Sequence, residues 1–264
     1  MPDESGGGIF TGERLVADDP LFAADFARHL VAYQFAQECV RDKTVLDAGC
    51  GDGYGTDLLA RTATRALGVD RAADTIALAA QRYRRPNLAY RACALQRLTD
   101  LGEQFDVVCN FQVIEHLTDP RAFLEQVRQV LRPGGCLIVT TPNRVNSFVE
   151  NPYHVHEYLA DELAAVLRGT FAAVDMRGVC GNERVMAFER ARGQHANSIL
   201  RLDPLGLRRL LPRRLIEWAY PRLAKLVRRN IAQADASTAT ISPADFEIRA
   251  DAGNSLDLLA LCRA

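Results

Sequence analysis

Chemistry at neutral pH needs side chains that exchange protons or hold charge, and two stretches of the chain concentrate them. One is Glu115-His116; the other is Tyr153-His154-Val155-His156-Glu157. Histidine titrates near neutrality, so it is the first choice for a general base. His154 and His156 are two apart, which in an extended segment puts them on one face. The expectation is His154 as the base, with Glu115, His116, His156 and Glu157 available to orient an acceptor; a strand cap or a bond to a backbone carbonyl is the competing role for any one histidine. Structural zinc asks for a closed four-ligand spacing, which His-x-His with scattered carboxylates lacks, and magnesium prefers carboxylate oxygens. No metal ligands are assigned. A third stretch, Thr44–Leu59, reads TVLDAGCGDGYGTDLL, with Gly49, Gly51, Gly53 and Gly55 at every second position after Asp47. Glycine serves where the backbone needs positive φ or comes within touching distance of a ligand, so this is a ligand cradle. The dinucleotide fingerprint G-x-G-x-x-G fits it poorly, because the third glycine position falls on Tyr54 counted from Gly49 and on Thr56 counted from Gly51. Asp70 closes the run Ala66-Leu67-Gly68-Val69 at the distance where a carboxylate meets ribose hydroxyls.

These residues must be carried on elements. A short apolar run before the glycines and a periodic one after them read as strand, turn, helix. From residue 43 onward the pattern alternates: strands over 43–48, 65–70, 88–92, 105–110, 136–141 and 172–179, helices over 54–63, 72–84, 120–131 and 160–168. Alternation of this kind implies a parallel sheet with right-handed crossovers. Asn110-Phe111-Gln112-Val113-Ile114-Glu115-His116 then leaves the carboxyl end of a strand, where open α/β sheets bind ligands. Ahead of the sheet, Phe22, Phe26, Leu30, Tyr33 and Ala36 recur at helical spacing over 20–39, with Pro20 suited to a first turn. Residues 1–8 read as a disordered tail.

Asp47-Ala48-Gly49-Cys50-Gly51-Asp52-Gly53 resembles the first motif of the class I S-adenosylmethionine-dependent methyltransferases. The segment through Glu115-His116-Leu117 resembles their fourth motif, and Leu131-Arg132-Pro133-Gly134-Gly135, a strand and Thr141-Pro142-Asn143 resemble the family's next strand and its flanks. The resemblance implies a Rossmann-like α/β fold whose seven-stranded, mostly parallel sheet has its last strand antiparallel. Ser255–Cys262 is the candidate for that strand, with a helical insertion before it. It also implies S-adenosyl-L-methionine as cofactor, bound through Tyr33, Asp47, Gly49, Gly51, Gly53, Tyr54, Asp70, Arg71, Cys93, Ala94, Asn110 and Phe111. One departure is visible: where the family places an acidic residue for the adenine amino group, this chain has Arg91-Ala92-Cys93-Ala94-Leu95, so that contact is missing or comes from backbone.

More narrowly, Thr11-Gly12-Glu13-Arg14, His29 with Tyr33 and Gln34, Asn110-Phe111-Gln112-Val113-Ile114-Glu115-His116-Leu117, Thr141-Pro142-Asn143-Arg144, Asn151-Pro152-Tyr153-His154 and Ser255-Leu256-Asp257-Leu258 resemble bacterial sugar O-methyltransferases, the type that acts in making mycobacterial methylmannose polysaccharide. That resemblance spans roughly 10–181 and 237–262. It implies O-methylation of a sugar hydroxyl or a glycosylated small molecule, with His154 near the acceptor, Glu115 and His116 beside it, and room for a divalent cation such as magnesium. Base catalysis fits this chemistry, since an alcohol is a poor nucleophile until its proton leaves, whereas a neutral amine needs little more than alignment with the departing sulfur. The alternatives are N- or C-methylation of a natural product or lipid precursor, and a non-catalytic module docking a partner. A nucleic-acid methyltransferase is disfavoured, because Asn110-Phe111-Gln112-Val113 stands where an Asn/Asp-Pro-Pro-Tyr/Phe motif belongs.

The 264 residues suffice for one sizeable α/β core with an addition, divided as 1–40 (tail and cofactor-lid helix), 41–181 (core), 182–250 (helical basic insertion) and 251–264 (final strand). A formal net charge of -1 gives no global argument for nucleic acid. Locally the insertion is basic, with eleven Arg and Lys against Asp203 and Glu217 between Arg190 and Asn230. Its interleaved apolar residues suit a solvated helical lid, or a surface that docks a partner. Seven cysteines without metal spacing read as reduced thiols and suggest a cytoplasmic protein. No signal peptide or apolar run of membrane-spanning length is apparent. The partner expected is a small-molecule or saccharide acceptor, with a homodimer left open.

Overall fold

The computed structural model describes residues 22–147, 151–200 and 241–264. They fall into two compact units. One comprises residues 29–146, 155–180 and 247–264 and holds nearly all of the sheet; the other gathers 22–28, 147, 151–154, 181–200 and 241–246.

In the larger unit the alternation expected from sequence is present: β1 (Thr44–Ala48), α2 (Tyr54–Ala60), β2 (Arg65–Asp70), α3 (Ala73–Arg82), β3 (Leu88–Ala92), β4 (Phe105–Phe111), α4 (Pro120–Val130), β5 (Leu131–Pro142), α5 (Ala160–Arg168) and β6 (Ala173–Gly181), preceded by α1 (Ala23–Cys39) and closed by β7 (Phe246–Arg249) and β8 (Asp257–Arg263). The sheet runs β3-β2-β1-β4-β5-β8-β6-β7. Pairing is parallel from β3 to β5, and β8 lies antiparallel to both β5 and β6. This is the α/β, Rossmann-like class with the late strand inserted antiparallel. Among the described residues it has eight strands rather than seven, because Phe246–Arg249 forms a short edge strand inside the stretch read as a helical insertion.

Helices cover the sheet, so its central segments are apolar and buried: Val107–Cys109 of β4 and Leu137–Val139 of β5. Leu46, Val108, Leu137 and Val139 pack with Phe123, Leu124 and Val127 of α4 and with Leu163 and Leu167 of α5. α4 begins where Asp119 caps the Ala122 N–H at 3.0 Å and Pro120 follows at the first turn. At the amino end of the sheet, Asp106 accepts from the Thr44 N–H (2.8 Å), the Thr44 hydroxyl (2.7 Å) and Arg132 (2.8 Å). Burial opposes ionisation of Asp106, but these bonds outweigh it and hold the carboxyl down at about 2. At the carboxyl end, Asn143 is fully buried; its amide donates to the carbonyls of Ala252 (3.1 Å) and Ser255 (3.0 Å) and accepts from the Val145 N–H (3.2 Å). The Asn of Thr141-Pro142-Asn143 is therefore a staple that fixes the turn before β8.

The smaller unit contains α6 (Glu183–Leu200) and the first turns of α1. Arg192 reaches Asp25 (2.6 Å) and Glu189 (2.7 Å), Arg28 lies 3.7 Å from Glu189, and the Arg192 side chain is only 14% exposed. By composition Arg192 belongs to the solvated basic stretch; it is spent instead on internal carboxylates, as a buried charge must be. The tail, Thr11-Gly12-Glu13-Arg14, Pro20 and residues 201–230 of the basic stretch lie outside the described residues, and so do 148–150.

All seven cysteines are free thiols, with Cys50, Cys109, Cys180 and Cys262 buried. No helix among the described residues is long and apolar enough to cross a membrane.

Candidate active site

The glycine stretch folds as a loop from the end of β1 into α2. Gly49, Gly51 and Gly53 all take positive φ, at 91°, 54° and 88°. The two later positions need glycine for different reasons. A Cβ on Gly53 would meet Ala79 and Tyr90 at 2.8 Å, so Gly53 is fixed by packing within the protein. A Cβ on Gly51 would meet nothing within 4 Å, so Gly51 leaves the open side of the cradle accessible to a ligand.

Tyr90 braces the loop, a contact that the sequence did not disclose. Its hydroxyl donates to the Gly53 carbonyl at 2.7 Å from β3, and Gly68 on the intervening strand makes room, since a Cβ there would stand 2.8 Å from the ring. Burial pushes the Tyr90 phenol pKa up, so it stays a donor.

Below the loop lies Asp47, 1% exposed. Thr56 donates to Oδ2 at 2.7 Å, and the Tyr33 hydroxyl lies 3.3 Å and 3.4 Å from the two carboxylate oxygens. Burial is the largest influence and pushes this carboxyl up to about 7, against the pull of the Thr56 and Tyr33 bonds; the nearby Asp70 adds to the rise. Tyr33 packs edge-on against Phe111 (4.8 Å between centroids) and Tyr54 (5.7 Å), and the Tyr54 hydroxyl bonds His29 Nδ1. Tyr33, Asp47, Tyr54 and Phe111, separated in sequence, are thus brought together, with His29 added.

At the next strand ends, the Asp70 carboxylate accepts from the Ala72 N–H (2.9 Å), and its carbonyl accepts from the Cys93 N–H (2.9 Å). That tie sets Cys93 and Ala94 beside the end of β2, while Arg71 is exposed. Asn110 is fully buried at the end of β4 and donates to the Ala48 carbonyl at 2.7 Å. A carbonyl accepts only, so the amide orientation is fixed and Oδ1 is left as a buried acceptor with no partner among the described residues. Gln112 follows in the left-handed region at φ 56°, at a cost of order 1 kcal/mol for a non-glycine residue.

Glu115 sits in a short turn after β4, 1% exposed, its carboxylate accepting from Thr141 at 3.0 Å. Its carbonyl accepts from the Val155 (2.8 Å) and His156 (3.1 Å) N–H groups, and His116, the next residue, is half-buried. His156 itself is exposed, 3.5 Å from Glu162. In the smaller unit, Asn151 Nδ2 lies 2.9 Å from His154 Nε2.

The fold and cradle define a class I methyltransferase architecture, and comparison with known proteins names the family. A methyltransferase-domain family profile matches residues 21–233. A protein of Mycobacterium tuberculosis named "Probable S-adenosylmethionine-dependent methyltransferase" is 36% identical over 263 residues, covering 95% of this chain and 88% of that one. A ubiquinone biosynthesis O-methyltransferase of Cereibacter sphaeroides is 40% identical over 124 residues, 46% of this chain and 49% of its own. Among solved structures, a SAM-dependent methyltransferase of Thermotoga maritima superposes with a TM-score of 0.57 over 92% of this chain and 91% of its own at 13% identity, which speaks to the fold. The chain belongs to the S-adenosylmethionine-dependent methyltransferases, and its cofactor is S-adenosyl-L-methionine.

The cradle fits that cofactor, since Gly51 leaves open space on its ligand side. Gly51→Ala is therefore expected to weaken S-adenosylhomocysteine binding tenfold or more by calorimetry, while costing the fold only about 1 kcal/mol for a left-handed alanine. A variant that melts like wild type and binds equally well would show that the ligand does not approach this face.

Proposed function

We propose that the chain methylates a hydroxyl of a saccharide or glycosylated small molecule, with His154 as general base and Glu115 and His116 as orienting groups. The observation that carries this reading is the buried Glu115 carboxylate, fixed by Thr141 at the carboxyl end of the sheet, with His116 beside it and the His156 N–H on its carbonyl. A carboxylate–histidine grouping at this edge serves an acceptor that must lose a proton. The O-methyltransferase among the relatives supports the same chemistry. Tyr33, Asp47, Gly49, Gly51, Gly53, Tyr54, Asp70, Arg71, Cys93, Ala94, Asn110 and Phe111 are proposed to line the site of the cofactor, whose sulfonium supplies the methyl group. Within that set, Asp70 suits the ribose hydroxyls and Asn110 Oδ1 an N–H or O–H donor. Residues 41–181 and 251–264 form the catalytic core in this reading.

The test is transfer of labelled methyl from S-adenosylmethionine to a panel of sugars, glycosylated small molecules, amines and activated carbon acids. Labelled methyl ethers of hydroxyl acceptors are expected. Transfer confined to amines or carbon would sink the O-methylation reading.

A further inference from the structure

Asp47 is a buried carboxylate that its own chain serves poorly. Among the described residues no Lys or Arg reaches it, and its two donors are unequal. The Thr56 bond at 2.7 Å is short and directed, whereas the Tyr33 hydroxyl straddles the two oxygens at 3.3 Å and 3.4 Å, beyond the usual O–H···O range. Buried carboxylates are ordinarily paired with a cation or given several strong donors, because water no longer solvates them. Tyr33 is nonetheless held firmly in this weak arrangement. Its ring lies against Gly55, where any Cβ would collide with it, and edge-on to Phe111, and the residue is only 3% exposed.

We infer that the Tyr33 hydroxyl stands in for a primary ammonium at Asp47, namely that of the amino-acid end of the methyl donor, and that donor binding displaces it. This rests on the proposed function, in which Asp47 and Tyr33 line the cofactor site. Tyr33 then sets donor affinity through the ligand-free state: its hydroxyl relieves a carboxylate that the ammonium would serve better, so the contact competes with binding. An ammonium carries three donors and a full charge, and a charge-assisted bond of normal length is about twice as strong as a neutral one. The ring and the hydroxyl therefore have separable parts, the ring packing against Gly55 and Phe111 and the hydroxyl opposing the ligand.

The inference fixes the sign of one substitution. Tyr33→Phe keeps the ring and removes the hydroxyl, so calorimetry should show S-adenosylhomocysteine binding about fivefold more tightly than to wild type, the equivalent of one hydrogen bond. Methylthioadenosine, which has the adenosine but no ammonium, should bind both proteins equally and so report an intact fold. In an Asp47→Asn background the effect of Tyr33→Phe should disappear. Unchanged or weaker S-adenosylhomocysteine binding by Tyr33→Phe, with methylthioadenosine unaffected, would overturn the stand-in role and leave the cofactor site itself in place. Loss of both ligands on Tyr33→Phe would also overturn it, by making Tyr33 a positive contributor. Wild-type protein that binds methylthioadenosine but gains nothing from the amino-acid end would refute the assignment of Asp47 to the ammonium, and this inference with it.

Discussion

His154→Ala is expected to lower kcat on a hydroxyl acceptor by about 10²–10⁴, the range that a positioned general base supplies, while leaving S-adenosylhomocysteine affinity within about twofold. The local geometry around this histidine says how the base would be readied. Asn151 Oδ1 accepts from the Tyr153 N–H at 3.1 Å, which fixes the amide so that its Nδ2 faces His154 Nε2 at 2.9 Å. An amide N–H only donates, so Nε2 is the lone-pair nitrogen and already engages a donor. An acceptor hydroxyl that takes the place of the Asn151 amide presents the same kind of donor to the same lone pair, so the base needs no change of tautomer to receive its proton. Added imidazole separates this role from a structural one: it should restore part of the lost turnover in His154→Ala. Wild-type-like turnover without rescue would move the base elsewhere, and Glu115→Gln would then be the variant to test.

How far the site is legible in the sequence depends on the chain distance of its contacts. The cradle is local: Asp47, the alternating glycines and the first helical turn lie close together in the chain, and their spacing alone separates the loop from a dinucleotide fingerprint. Asp70 is reachable because a strand, a helix and a strand fix its separation. Tyr90 on Gly53 spans 37 residues and leaves no local mark, since a tyrosine alternating out of a strand usually means packing. Asn143 shows the opposite case. Its place in Thr141-Pro142-Asn143 points to the family, but its partners lie 109 and 112 residues away, and only the fold reveals a staple. The short strand Phe246–Arg249 does alternate, with Phe246 buried and Glu247 and Arg249 exposed, yet four residues after a long basic stretch carry too little periodicity to stand out. Counting charge likewise overstates the basic surface, because nothing in sequence pairs Arg192 with Asp25, 167 residues distant.

Asp47→Asn should stabilise the ligand-free protein above neutral pH and weaken its hold on the cofactor, two effects of opposite sign from one carboxylate. The folded-state value of about 7 lies above the ordinary 3.8, so the folded state holds its proton more tightly than the unfolded chain. Stability tied to this group is therefore complete below about pH 4, falls as pH rises toward about 7, and levels off above it. The difference between 3.8 and about 7 corresponds to at most about 4 kcal/mol. Asparagine cannot ionise, and it can keep both neighbours: its oxygen accepts from Thr56, and its amide donates to the Tyr33 oxygen. Urea denaturation at about pH 5 and about pH 8 should then show wild type losing stability relative to the variant across that interval, with the variant ahead by a few kcal/mol at the higher pH. S-adenosylhomocysteine binding should fall about tenfold or more, because the ammonium loses a buried counter-charge. If the variant were less stable than wild type at the higher pH, the ionised carboxylate would be better solvated than its burial implies, and the argument for an underserved Asp47 would fail.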